Sequence, residues 1–316
     1  AETGSRILCA PTVEKNTVYV CTQNGELLAL ALADGSFQWL YRAAGPICAA
    51  AATHADFIFV SDETGMFHAL DTNGRPRWTA HAGDKITSRA VIGEGIVFFA
   101  SYDHRVYALR LESGERLWSV NTGERVDPPC LLAEGMVFSV NCGGRLLALE
   151  ATTGKERFRL ELQEPLAAPP AYGAGRLFAA SMNGRLFAVD IAKQAVAWDT
   201  ADRYHGACRA APAIKNDLIF MAGWHGVIRC LSAANGEEIW TATTHSGEIK
   251  CSPLISGNEI ACGGDDGVLR LLDSRNGAET WRMSLGSAIA GAELTPTGEL
   301  VVTTTDGAVH CLRIGE

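Results

Sequence analysis

The sequence lacks the short motifs that usually mark a chemical centre. It has no Cys-x-x-Cys, no adjacent Cys pair, no His-x-x-x-His and no Cys/His quartet at zinc spacing. Nor does it carry a G-x-S-x-G elbow, a phosphate-binding loop or a dinucleotide fingerprint. Asp265-Asp266-Gly267 is the nearest thing to a calcium loop, but one turn supplies fewer oxygen ligands than calcium takes. These absences leave no expected catalytic residues, metal or cofactor. No apolar run is long enough to span a bilayer, and no secretory signal stands in front. The first residues already fit the pattern described below, so a mature chain or an excised domain is expected. An excess of positive charge is missing too. Lys and Arg number 27 against 36 Asp and Glu, a net charge of −9. Sequence-independent binding to nucleic acid or an acidic membrane needs a basic surface and is not expected.

Cysteine is not scarce: there are ten. Most fall in strand patterns. Cys9, Cys48, Cys208 and Cys251 stand near the starts of equivalent strands, and Cys21, Cys230 and Cys311 lie within others. No spacing suggests a disulfide framework, so they read as small core residues in a reducing compartment. A cytoplasmic location follows as the expectation.

What the sequence does have is a repeat. Asn183-Gly184-Arg185-Leu186-Phe187-Ala188-Val189, with Trp198 behind it, is one copy of a recurring phrase. The turn occurs eight times, at Asn24-Gly25, Thr64-Gly65, His104-Arg105, Gly143-Gly144, Asn183-Gly184, His225-Gly226, Asp266-Gly267 and Asp306-Gly307. Only Arg105 departs from the Gly rule. Asn-Gly or Asp-Gly between alternating apolar residues is a hairpin signal, because Gly adopts positive φ at little cost. The closing aromatic falls at Trp39, Trp78, Trp118, Phe158, Trp198, Trp240 and Trp281, with gaps of 39, 40, 40, 40, 42 and 41. Short strands at a fixed period near forty residues indicate a β-propeller.

Each repeat reads as four strands, A to D. Strand A is expected to start at Ile7, Ile47, Ile86, Val126, Leu166, Cys208, Ile249 and Ile289. Strand B is β-rich, as in Val18-Tyr19-Val20 and Phe57-Ile58-Phe59. Strand C follows the Gly turn, and strand D carries the aromatic. Strands A, B and C occur eight times and strand D seven. The expectation is an all-β chain: one eight-bladed β-propeller domain over residues 1–316, built of four-stranded antiparallel blades with the last three-stranded.

Two stretches carry a family resemblance. Leu109-Arg110-Leu111-Glu112-Ser113-Gly114-Glu115-Arg116-Leu117-Trp118 resembles the tryptophan-docking repeat of the pyrroloquinoline-quinone-like propellers, and so does Ala148 to Phe158. That superfamily includes quinoprotein alcohol dehydrogenases, the outer-membrane assembly lipoprotein B, and propellers attached to kinases and adenylating enzymes. The resemblance implies the fold across the whole chain. It also implies a periplasmic location as the alternative to the cytoplasm.

In a four-stranded meander the B–C and D–A connections emerge on one face, where ligands or partners are expected. The fifth-to-sixth connection is the longest and carries Arg203, Tyr204 and His205. The next B–C turn adds Trp224 and His225, and the following D–A loop adds His245, Glu248 and Lys250. Exposed Trp, Tyr and Arg are the usual interface anchors. A second set lies near strand-A starts: Arg89, Asp127, Arg209 and Lys250. Such charges could orient an anion or a partner carboxylate at the channel mouth, or Asp127 could pair internally with a nearby Arg.

The expected function is a non-catalytic interaction scaffold or accessory module that presents one loop face to a protein or peptide. A sensor or regulatory domain of a multidomain kinase or adenylating enzyme, binding a small molecule near Arg209, Trp224 and His225, is the alternative. A quinone-dependent dehydrogenase is implied by resemblance alone. It lacks support from the residues, since a Cys-Cys pair and a calcium set are missing.

Overall fold

The computed structural model describes residues 1–201, 208–244 and 247–313. Its architecture is an eight-bladed β-propeller: seven four-stranded antiparallel sheets and one three-stranded sheet, each in sequence order. A short 3-10 turn lies at Trp224–Gly226. By internal contacts the chain forms two compact units, Ala1–Val137 with Leu149–Lys155 and Ala290–Glu316, and Phe138–Ala148 with Glu156–Ile289.

The first unit holds blades 1 to 3 and the three-stranded blade 8. Blade 1 comprises Thr12–Glu14, Thr17–Cys21, Glu26–Ala31 and Phe37–Arg42. Blade 8 comprises Ile289–Leu294, Glu299–Thr304 and Val309–Arg313. In strand B both faces are buried, as in Phe57–Ser61, so this strand reads as a continuous apolar run rather than an alternation.

The aromatic ladder is the packing device between blades. Trp39, Trp78 and Trp118 donate their indole N–H to the carbonyls of Thr72, Leu111 and Ala151, at 3.0, 2.9 and 2.9 Å. Their rings lie over Gly74, Gly114 and Gly154, all at positive φ. In the second unit Trp198 and Trp240 repeat this with Ala233 and Ser274, over Gly236 and Gly277. Each Trp-bearing strand D meets strand C at a register shift, as between Ala29 and Leu30, which bends the edge and turns the ring toward the neighbour. Phe158 has no N–H to donate. The turn that follows it in the next blade is Lys193-Gln194, with Gln194 at φ 53° where the others have Gly.

Two details differ from the sequence reading. In blades 1 to 7 the innermost ladder begins about five residues later than expected, as at Thr12–Glu14 in blade 1, not Ile7, and Ala213–Lys215 in blade 6, not Cys208, whereas in blade 8 it begins at Ile289 as expected. The stretch before it in those seven blades forms no ladder beyond a single bridge at Leu166, and Pro11, Pro170, Pro212 and Pro253, which have no N–H to give, mark its end in four of them. The exception in the Gly turns is His104, not Arg105. Thr122 N–H donates to His104 O as Ala43 N–H donates to Gly25 O, and His104 has φ 67°. Histidine is one of the few side chains that enter the left-handed region with any frequency.

Candidate functional site

The B–C turn of blade 6 departs from its siblings. In blades 2, 4 and 5 the first turn residue, Asp62, Asn141 or Ser181, accepts backbone N–H groups from the turn with its side chain. Blade 6 has Gly223 there and blade 7 has Gly264, with no side chain to do so. The blade 6 turn is a 3-10 segment, Trp224–Gly226, with His225 held at φ 60°. Trp224 is 45% exposed, in a chain whose ladder tryptophans are mostly covered.

Glu248, in the D–A loop, is the hub of this face. Its Oε1 accepts the Trp224 indole N–H at 2.8 Å. Arg209 approaches the same oxygen at 3.9 Å, and Lys250 reaches Oε2 at 3.5 Å. Lys250 also pairs with Asp265 at 3.2 Å. The Glu248 side chain is 17% exposed while Arg209 and Lys250 are each 52% exposed, so an inner carboxylate organises two outer cations. His225 meets Trp224 edge-on, with centroids 6.2 Å apart. An aromatic plate fixed in orientation and flanked by cations suits a protein surface bearing an apolar group and a carboxylate. The cavity beneath Trp224, lined by Gly184, Cys208, Met221 and Arg229, is about 10 Å³, room for one water at most.

The sequence-derived residues therefore divide. Arg209, Trp224, His225, Glu248 and Lys250 come together in the second unit. Arg203, Tyr204, His205 and His245 lie outside the described residues. Arg89 and Asp127 belong to the first unit and do other work. Asp127 Oδ1 accepts the Tyr102 hydroxyl at 2.7 Å and the Thr87 hydroxyl at 3.1 Å. This carboxylate thus holds a pair of hydroxyl groups. Burial, and then the Asp127 carboxylate, push the Tyr102 hydroxyl up to about 12. The Tyr102 ring itself lies between Lys85 and Arg125, at 4.5 and 4.7 Å from its centroid. Arg89 favours the ionised form of Glu293, but burial dominates and holds that carboxyl above its ordinary range.

Asp265 is the member that sequence reasoning missed. It reads as a plain turn residue, and only the fold brings it to Lys250. Its neighbour Asp266 is used by Arg270 instead, at 2.6 Å. Among the described residues no group of three or more His, Cys, Asp or Glu is placed to hold a metal ion.

Comparison with known proteins agrees with this architecture. The family model described as outer membrane protein assembly factor BamB matches residues 44–130, 103–223 and 205–315. The outer membrane protein assembly factor BamB of Bordetella pertussis (strain Tohama I) is 31% identical over 113 residues, 36% of this chain. That match spans 29% of the relative's length. BamB from Moraxella catarrhalis superposes over 100% of this chain and 98% of its own, with TM-score 0.84 at 20% identity. The designed protein Ika8 (TM-score 0.88, 17% identity) and Sqt1 of Saccharomyces cerevisiae (0.86, 11%) share the fold at similar coverage, 99% of this chain and 98% of theirs. With its family model matched across three overlapping stretches, the chain belongs to the family of the outer membrane protein assembly factor BamB.

Proposed function

We propose that the chain is a non-catalytic scaffold for outer-membrane protein assembly, and that it docks a protein partner on the face built around Trp224. The family membership supports the first half of this reading. The single observation that carries the second is the exposed Trp224 locked onto Glu248 between Arg209 and Lys250. A rigid Trp with adjacent cations loses little side-chain freedom on binding, which is what makes such residues interface anchors. The sensor alternative gains nothing here, since the cavity at Trp224 is too small for a metabolite.

This reading replaces the cytoplasmic location by the periplasmic face of the outer membrane. The ten cysteines, none of them joined in a disulfide, do not oppose it. Burial pushes Cys208, Cys251 and Cys262 up to about 12. Thiols so rarely ionised exchange slowly whatever the compartment.

The test is photo-crosslinking from position 224 in the living cell, with a control position on the exposed outer strand at Phe37. Crosslinks from 224 to a component of outer-membrane assembly are expected. An empty lane at 224, or the same products from both positions, would sink the reading.

A further inference from the structure

The B–C turn of blade 3 carries a second aromatic at the place that Trp224 holds in blade 6. Asp62 N–H donates to Met66 O at 3.0 Å, and Gly223 N–H donates to Val227 O at 3.2 Å. Trp224 thus stands where Glu63 stands. Glu63 N–H donates to Pro46 O and Tyr102 N–H donates to Lys85 O, each at 3.0 Å. Tyr102 therefore occupies the same turn position.

The surroundings of the two rings are drawn from the same places. Each ring gives its polar hydrogen to a carboxylate at the entry of the next blade: the Trp224 indole to Glu248 at 2.8 Å, the Tyr102 hydroxyl to Asp127 at 2.7 Å. Each has a cation from the entry of its own blade, Arg209 or Lys85. Each has another from the entry of the next, Lys250 or Arg125.

The charges are disposed differently. At Trp224 both cations turn in on Glu248. At Tyr102 the carboxylate is taken up by hydroxyls, since Asp127 Oδ1 also accepts from Thr87 at 3.1 Å. Lys85 and Arg125 lie against the ring instead, 4.5 and 4.7 Å from its centroid. Lys85 forms no ion pair among the described residues. Two acids of the adjoining loops are bound to backbone: Asp84 accepts the Lys85 N–H at 2.7 Å and Asp103 the Gly83 N–H at 2.8 Å. Stacking on a ring holds a cation in place without neutralising it, so an arriving carboxylate meets groups that are already ordered. Two carboxylates one residue apart in an extended chain are about 7 Å apart, a span that suits cations set on either side of one ring. The chain carries a net charge of −9. An acidic segment is therefore repelled by much of its surface and drawn to such a spot, which favours specificity.

We propose that Lys85, Tyr102 and Arg125 form a docking point for an extended acidic segment of a protein partner, one that presents two carboxylates a residue apart. Lys85 takes one carboxylate and Arg125 the other. Tyr102, anchored by Asp127, sets the distance between them. No residue of the Trp224 face takes part, so this docking point and the proposed function fail separately.

The test is lysine acylation of the full chain at low ionic strength, where charge pairing is least screened, read by peptide mass spectrometry. The probe is the end-blocked peptide Gly-Asp-Gly-Asp-Gly at millimolar concentration, with Gly-Asn-Gly-Asn-Gly as its neutral control. The acidic peptide should slow acylation of Lys85 saturably, by about threefold or more, because an occupied ammonium is a poorer nucleophile. Exposed Lys155 should react as before. Arg125→Gln should lose most of the protection, and Arg125→Lys should keep most of it. Unchanged acylation of Lys85 would overturn the proposal, as would equal slowing at Lys155 or by the neutral peptide. Protection that survives Arg125→Gln would overturn it as well, since a single cation would then suffice.

Discussion

Trp78 lies on Gly114: a Cβ added to Gly114 would stand 2.5 Å from Cε3 of the indole. The glycine is needed twice over, for its φ of 70° and for the space the ring takes. Gly95 has nearly the same φ, 74°, but nothing within 4 Å of the added carbon. The pair separates the two costs. Gly95→Ala should lose about 1–2 kcal/mol from the left-handed backbone alone. Gly114→Ala should lose more, about 2–4 kcal/mol, because overpacking is added to it. Urea denaturation of both variants checks this; equal losses would mean that the ring moves aside freely.

Trp224 and Trp118 should behave as opposites. Trp118 is a ladder residue bonded to Ala151, and Trp118→Ala should cost about 3–5 kcal/mol of stability. Trp224 is 45% exposed, and Trp224→Ala should change stability by less than about 1 kcal/mol. On the proposed function it should instead weaken the partner about 30-fold. Glu248→Gln keeps an acceptor for the indole but removes the charge that holds Arg209 and Lys250, so an intermediate loss is expected. Titration calorimetry with the crosslinked partner would measure all three variants.

Much of this fold was legible because the repeat is written in residues with narrow backbone or packing roles. Gly25, Gly65 and Gly144 fill positive-φ turns, and Trp39 or Trp78 closes a blade. Strand A was legible only in outline. Three laddered residues such as Thr12–Glu14 are too few to show a period, and the apolar residue at Ile7 marks burial rather than pairing. Trp224 stood out as an aromatic in a turn. The hub role of Glu248 did not, because one carboxylate among 36 acidic residues carries no signal until the fold sets Arg209, Trp224 and Lys250 around it. The hydroxyl partners of Asp127 were hidden for the same reason: Tyr102 and Thr87 are 25 and 40 residues away.

Acid should find a weak point at Asp62. This buried carboxylate accepts from Thr64 and Met66 and meets His68 Nε2 at 3.2 Å, while His68 Nδ1 meets the Tyr41 hydroxyl at 3.0 Å. Burial pushes the Asp62 carboxyl up, but the hydrogen bonds outweigh it and hold it below its unfolded value of 3.8. A depressed acid stabilises the fold above the unfolded pKa, and that stability is lost as pH falls through the folded one. The loss therefore belongs below about pH 4. Asp62→Asn should lower stability at pH 7 by about 1–3 kcal/mol and flatten the slope between pH 4 and 2. Thermal melts across that range would read both effects; an unchanged acid slope would assign the pH dependence to other carboxylates.

The thiols should divide into three classes by burial. Cys9, Cys21, Cys130, Cys208, Cys230, Cys251 and Cys262 are buried, Cys48 and Cys142 are half-buried, and Cys311 is exposed. Burial, and then the nearby Glu63 carboxylate, push Cys48 up to about 12, so its partial exposure is offset by a scarcity of thiolate. Burial also raises Cys311, and the Glu299 carboxylate adds to it, but access remains. Alkylation of the native chain at pH 8 should therefore mark Cys311 first and Cys48 slowly. The seven buried thiols should react only as the chain unfolds, with a rate that follows the denaturant dependence of unfolding. A buried thiol that reacts early would locate a blade that opens on its own. The same experiment run on chain recovered from the periplasm tests the argument for location: if slow exchange protects buried thiols, all seven should still be reduced there.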